Sequence, residues 1–244
     1  MALVSPAGGL RRQSAPPDQT PHLTPAASAA DLRRGTLGPT GYAVIDTETT
    51  GFGREDRVIE VGVVWLDDDL QVTAEWDTLI DPGRDLGPQH IHHIRPGDVA
   101  GAPTFGQMAA QLVDRLAGRV IVGHNVSFDR RMLNQEFERL DVDRPLGREF
   151  SLDTLDWCRR LSLSPTRCYT LDHLCAVHRI ERGAAHAALA DARATGRLLA
   201  LVADRLECPA DPSQAWAEQR LAARQASWPA LPELPFQRHS RCPA

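Results

Sequence analysis

The chain of 244 residues contains no lysine: all 27 of its basic side chains are arginine, against 32 acids, for a formal charge of −5. An acidic chain does not grip a polyanion by bulk charge. Any nucleic-acid contact must therefore be local, or carried partly by bound cations. The sequence also lacks an unbroken apolar run of the roughly 18 or more residues that a membrane span needs. Its five cysteines (Cys158, Cys168, Cys175, Cys208 and Cys242) are odd in number, and no two are spaced C-x-x-C. That argues against a disulfide framework or a zinc site and fits reduced thiols in a cytoplasm. The opening MALVSPAGGLRRQSAPP lacks the basic-then-apolar order of a signal peptide, and it meets the Arg/Ser-rich, acid-poor profile of a transit peptide only weakly.

What is present is a 42% hydrophobic chain, enough for a sizeable core. Its many alanines read as genomic composition bias. Residues 1–38 are rich in Pro, Ala, Ser and Gly without apolar periodicity, and read as a disordered leader. Strands are expected at Tyr42–Thr47, Val58–Leu66 and Val72–Ile80. Their short connections favour an antiparallel meander. Helical spacing of Phe105, Met108, Leu112 and Leu116 predicts a helix over Pro103–Ala117. A short strand at Arg119–Val122 leads into a helix at Ser127–Leu140, with Ser127 as its N-cap candidate. Short helices at Thr154–Leu161 and Thr170–His178 precede the longest, Ala187–Arg205. Strands first, then alternation, predict an α/β fold around a mixed sheet. Residues 39–205 make the domain. Residues 206–244 read as a Pro-rich tail with one short helix near Ser213–Ala226.

Three separated segments carry carboxylates. In VIDTETTG, Asp46 and Glu48 lie two apart at a strand end and so share one face. Two acids that close repel unless a cation compensates, and hard oxygen donors suit Mg2+ or Mn2+. In NVSFDRR, Asp129 falls in a first helical turn, where the helix dipole alone would favour an acid. In HAALAD, Asp191 lies on the long helix and His186 five positions earlier, about 140° away around a helix. His186 is therefore better placed in the approach loop, where it can titrate near neutral pH. Taken singly, each has a plain alternative: a solvated turn acid, a dipole partner, a loop histidine.

Taken together, Asp46-x-Glu48, Asn125-x-x-Phe128-Asp129 and His186-x4-Asp191 closely resemble the DnaQ-like family of DEDDh exonucleases, as found in the epsilon proofreading subunit of DNA polymerase III. His92 in HIHHIRPGDV and Thr170–Leu174 match further family segments, and the resemblance spans about residues 41–203 in the family's order. His93 departs from it, standing where a glycine is usual. The resemblance implies a ribonuclease H-like fold with helices on both faces of the sheet. It implies hydrolysis of DNA from a 3′ end in proofreading or repair. Two divalent cations, Mg2+ or Mn2+ and about 3.5–4 Å apart, would clamp the attacking and leaving oxygens. Asp46, Glu48, Asp129 and Asp191 would hold them, and His186 would take the proton of the attacking water. Thr49, Thr50, His92, Asn125 and Phe128 would surround the terminal nucleotide. For Thr50 the plain alternative is turn chemistry, and for Phe128 it is core packing. Asp153 reads as a helix N-cap rather than a fifth ligand. An RNA-trimming exonuclease of the same fold is the nearest rival, and a non-catalytic nucleic-acid- or polymerase-binding module a remote one. The apolar QASWPALPELPF stretch offers a linear motif for a DNA polymerase or sliding clamp.

Overall fold

The computed structural model describes residues 41–183, 187–206 and 216–235. The leader over residues 1–38 lies outside them. Five strands form one sheet in the order β3-β2-β1-β4-β5. β1 (Tyr42–Thr49), β2 (Val58–Leu66) and β3 (Val72–Leu79) are the antiparallel meander expected from their short links. β4 (Val120–Gly123) and β5 (Ser151–Asp153) then add in parallel. β5 is only three residues long, too short for its alternation to show in sequence.

The helices are α1 (Gln89–His92), α2 (Pro96–Val99), α3 (Phe105–Leu116), α4 (Val126–Glu138), α5 (Thr154–Arg160), α6 (Leu171–His178), α7 (Ala188–Arg205) and α8 (Ala217–Gln225). α1 and α2 are single turns that no periodicity marks. His93 closes α1 with φ of 58°, a left-handed conformation that glycine adopts without steric cost. That is a physical reason for a glycine to be usual there.

Period-2 alternation along β1 sorts the two faces. Val44 lies against Gly196 of α7 on one face, and the Thr47 hydroxyl reaches Asp129 of α4 on the other. Asp46 and Glu48 share the face of Val44. Helices thus cover both sides, as a ribonuclease H-like fold requires. α7 approaches the sheet very closely. A Cβ on Gly62 would lie 2.4 Å from backbone atoms of Ala188 and Leu189. The buried positions of α7 include Ala188, Ala190, Ala192 and Ala194. Alanines that look like composition bias therefore have a local use: small side chains let the helix backbone settle onto β2.

The described part of the tail, residues 216–235, packs on the domain. Trp216 is 1% exposed, edge-on to Tyr42 at 5.9 Å, with Trp157 at 6.4 Å. Trp228 packs on Phe150, and the Pro235 carbonyl accepts from Gln107 Nε2 at 3.2 Å. The helix predicted at Ser213–Ala226 is observed as Ala217–Gln225. Apolar groups in this stretch cover core, so Trp228 and Leu231 are not presented as a free linear motif. Trp216→Ala is expected to cost about 3–5 kcal/mol, the range for deleting a buried aromatic. Urea denaturation followed by circular dichroism measures this, and a loss under about 1 kcal/mol would show the tail to be loosely held.

Candidate active site

The site forms where β1 ends and three other elements converge on it. Asp46 stands opposite Gly62 in the β1–β2 ladder, and Glu48 opposite Glu60. Because Gly62 admits the backbone of α7, Asp191 in that helix's first turn is carried over the end of β1. One carboxylate oxygen from each of Asp46, Glu48 and Asp191 lies within 4.8 Å of the other two. Asp129, in the first turn of α4, stands beside this group and lines the same cleft. Its Oδ1 accepts from the Thr47 hydroxyl at 2.7 Å. The turn into α4 is tight: Asn125 takes φ of 72° as N-cap, and its backbone N–H donates to Asp153 at 2.9 Å. Asn125, not Ser127, is therefore the residue that opens the helix, and the Ser127 hydroxyl donates to the Asn125 side chain. Asp153 caps α5 through the Leu155 N–H, as its sequence position suggests.

The electrostatics are those of crowded, buried acids. Burial pushes the Asp46 carboxyl well above its ordinary range, and Asp129, Asp191 and Glu48 push it further. Burial lifts Glu48 to about 8, with Glu60 and Asp191 adding to the rise. Burial lifts Asp129 to about 7 against the opposing hydrogen bond from Thr47. Glu60 is raised by burial too, although the Ala188 N–H donating to it pulls the other way. Asp191 meets a cation from the chain itself: Arg182 Nε and Nη2 donate to its two oxygens at 2.8 and 2.6 Å, and Arg182 also pairs with Asp172. A guanidinium drawn to this point, and all-oxygen donors that destabilise one another, fit a bound divalent cation.

The cleft above the carboxylates has a volume of about 270 Å³. Thr49, His92, Asn125 and Phe128 line it, as their sequence positions suggest. Thr50 does not; its hydroxyl donates to Asp56 at 2.9 Å and accepts from the Arg57 N–H at 3.0 Å, so turn chemistry accounts for it. His92 presents a wall rather than a free donor. Its Nδ1 accepts from the Ile94 N–H and its Nε2 faces the Leu86 carbonyl, both at 3.0 Å. Phe128 is half-buried, with its ring 5.7 Å from that of Phe52. His186 lies outside the described residues.

Comparison with known proteins gives the family and the fold. The model of the RNase T exonuclease family matches residues 43–199, well over half of the chain. The chain belongs to that exonuclease family. Its curated relatives include the PolC-type DNA polymerase III of Lacticaseibacillus paracasei, 35% identical over 182 residues, which are 72% of this chain and 12% of the polymerase. Another is the 3′-5′ exonuclease DinG of Staphylococcus haemolyticus, 30% identical over 67% of this chain and 18% of that protein. The exonuclease domain thus spans less than a fifth of either relative's length. Among solved structures, E. coli Exonuclease I in complex with a dT13 oligonucleotide shares the fold, with TM-score 0.59 and 22% identity over 68% of this chain and 41% of that one. No helix among the described residues is long and apolar enough to cross a membrane.

Three residues of the exonuclease domain's cleft region escape a motif reading. Glu60 is signalled only by being an acid inside the apolar run VIEVGVVWL. Phe52 is 70% exposed beside the acids, and nothing in sequence separates it from a turn residue. His124 lines the cleft with its ring bonded to Thr154 and the Tyr169 carbonyl.

Proposed function

We propose that this domain hydrolyses DNA one nucleotide at a time from the 3′ end, using two divalent cations, Mg2+ or Mn2+. The observation that carries the reading is the convergence of Asp46, Glu48 and Asp191 within 4.8 Å at the floor of a cleft that Asp129 also lines. Asp46, Glu48 and Asp191 would hold one cation, and Asp46 with Asp129 the other. Bound there, the cations would neutralise charge on the scissile phosphate.

The chain's own residues then have separate tasks. His186, immediately before Ala187 in sequence, takes the proton of the water that attacks phosphorus. The bond from phosphorus to the 3′ oxygen of the preceding nucleotide breaks, that oxygen takes a proton from solvent, and a nucleoside monophosphate is released. An imidazole can take up and give back a proton at a ring nitrogen, which suits that transfer. The Asn125 side chain faces the terminal nucleotide, and the paired Phe52 and Phe128 rings give a base a surface to stack on. DNA as the polymer is supported by the PolC-type and Exonuclease I likenesses, and the first of these also supports work beside a DNA polymerase. A sliding clamp has no such support.

The test uses 5′-labelled single- and double-stranded DNA and RNA, digested with Mg2+, with Mn2+ and with chelator. A descending ladder on single-stranded or frayed DNA is expected, absent in chelator and in the Asp46→Ala and His186→Ala proteins. Activity that persists in Asp46→Ala, or preference for RNA, would overturn the reading.

A further inference from the structure

The −5 chain gathers four arginines beside its acidic site. On the outer side of α4 lies a groove of about 630 Å³, more than twice the catalytic cleft. Arg54, Arg130, Arg131 and Arg144 line it, with Glu138 and Glu149 as its acids. Both walls are tied to α4. The 52–54 turn is held by Arg131 Nη1 donating to the Phe52 carbonyl at 2.9 Å and by Arg139 donating to the Arg54 carbonyl at 2.6 Å. The opposite loop is held by Asn134, which exchanges two hydrogen bonds with Leu146 at 3.0 Å, and by Arg130 Nε donating to the Leu146 carbonyl at 3.3 Å.

Among the described residues, no carboxylate lies within ion-pair distance of Arg54, Arg130 or Arg131, whereas Glu138 takes Arg144. Guanidiniums that have no carboxylate at ion-pair distance, although Glu138 and Glu149 stand near Arg54 and Arg130, keep charge to offer a phosphate. The groove and the catalytic cleft are lined by chain neighbours. Ser127 lines one and Phe128 the other; Arg54 lines one and Phe52 the other. The Arg131 guanidinium lies 5.2 Å from the centre of the Phe128 ring, on the ridge between them.

We propose that this groove binds the phosphates of the substrate strand upstream of its 3′-terminal nucleotide. The proposal rests on the nuclease reading of the cleft. It accounts for how an acidic protein lacking lysine holds a polyanion: four arginines gather beside the site, where phosphates of a bound strand would pass.

The experiment compares a dinucleotide with a single-stranded 12-mer. Proteins are wild type, the Arg54→Gln/Arg144→Gln double variant and Glu138→Gln; Arg54 and Arg144 are exposed, so the fold should survive, and melting curves verify it. The double variant should raise KM for the 12-mer about tenfold, leave its kcat unchanged and leave KM for the dinucleotide alone. The slope of log affinity against log salt should flatten by about 0.7 for each phosphate that the variant no longer neutralises. Glu138→Gln, which removes an acid from the groove, should lower KM for the 12-mer. An unchanged KM for the 12-mer, or equal changes for both lengths, would overturn the proposal. Anisotropy of a labelled 12-mer in chelator separates the two readings. Binding weakened by the double variant in a protein that hydrolyses nothing sinks the nuclease reading and keeps the groove. Normal hydrolysis with unaltered binding does the reverse.

Discussion

Asp46→Asn is expected to lower the exonuclease rate by about a thousandfold or more and, in chelator, to make the protein melt at a higher temperature than wild type. Both results come from one placement. Asp46 is buried among Asp129, Asp191 and Glu48, so its charge is costly to the empty fold. An amide of the same shape removes that repulsion, and thermal melting in chelator should rise by a few degrees, as about 1 kcal/mol moves a domain of this size by roughly 2–4 °C. With metal the balance reverses. A divalent cation contributes several kcal/mol of transition-state charge stabilisation, and about 1.4 kcal/mol corresponds to a factor of ten in rate. Losing the central ligand should therefore remove about three decades. A variant that keeps a tenth of the activity, or that melts below wild type in chelator, would show that Asp46 is not the carboxylate around which the site is built.

The parts of this molecule legible in sequence are those where a local pattern and a tertiary demand coincide. β2 is readable because nine residues run nearly all apolar between turns, and α3 because Phe105, Met108, Leu112 and Leu116 form a stripe that is buried in the fold. Asp46 and Glu48 are readable as partners because period-2 geometry alone puts them on one face. What brings Asp191 to them is not readable. That depends on Gly62, whose missing side chain admits the α7 backbone, and a glycine in a strand carries no record of what lies over it. Glu60 escapes notice for the same reason: its approach to Glu48 depends on cross-strand register, which the sequence of one strand does not state. The packing of the tail is not readable because prolines and isolated tryptophans have no period. Trp216 and Trp228 are held by distant partners, Tyr42 and Phe150, which only the folded chain brings near. Thr50 shows the opposite limit. The motif places it at the nucleotide, but its hydroxyl is committed to Asp56 and the Arg57 N–H.

The metal-free protein should lose stability as pH rises from about 5 to about 8, and divalent metal should restore more of it the higher the pH. Glu48 titrates near 4.5 when unfolded and at about 8 in the fold, chiefly because it is buried. Asp129 moves from 3.8 to about 7, also through burial. Between those limits the folded state binds more protons than the unfolded chain, so stability falls as pH increases. The favourable contribution is complete below about pH 4, where both states are protonated, and is gone above about pH 8. Within the window each such group costs the fold up to about 1.4 kcal/mol per pH unit. Asp56 and Glu75 work in the other direction: the Gly53 N–H lowers the first and Arg193 the second, so their contributions are lost on acidification. Both face solvent more than Glu48 does, where screening shrinks such effects. The buried acids should therefore set the trend. A divalent cation binds the ionised carboxylates, so proton release accompanies its binding and its affinity grows with pH. Melting temperatures in chelator and in roughly millimolar Mn2+, taken at about pH 5, 6, 7 and 8, measure both effects. The increment from Mn2+ should be small at the acid end and largest at the alkaline end. A chelated protein that melts higher at about pH 8 than at about pH 5, or an increment that does not grow with pH, would mean that these carboxylates do not share a buried, cation-seeking site.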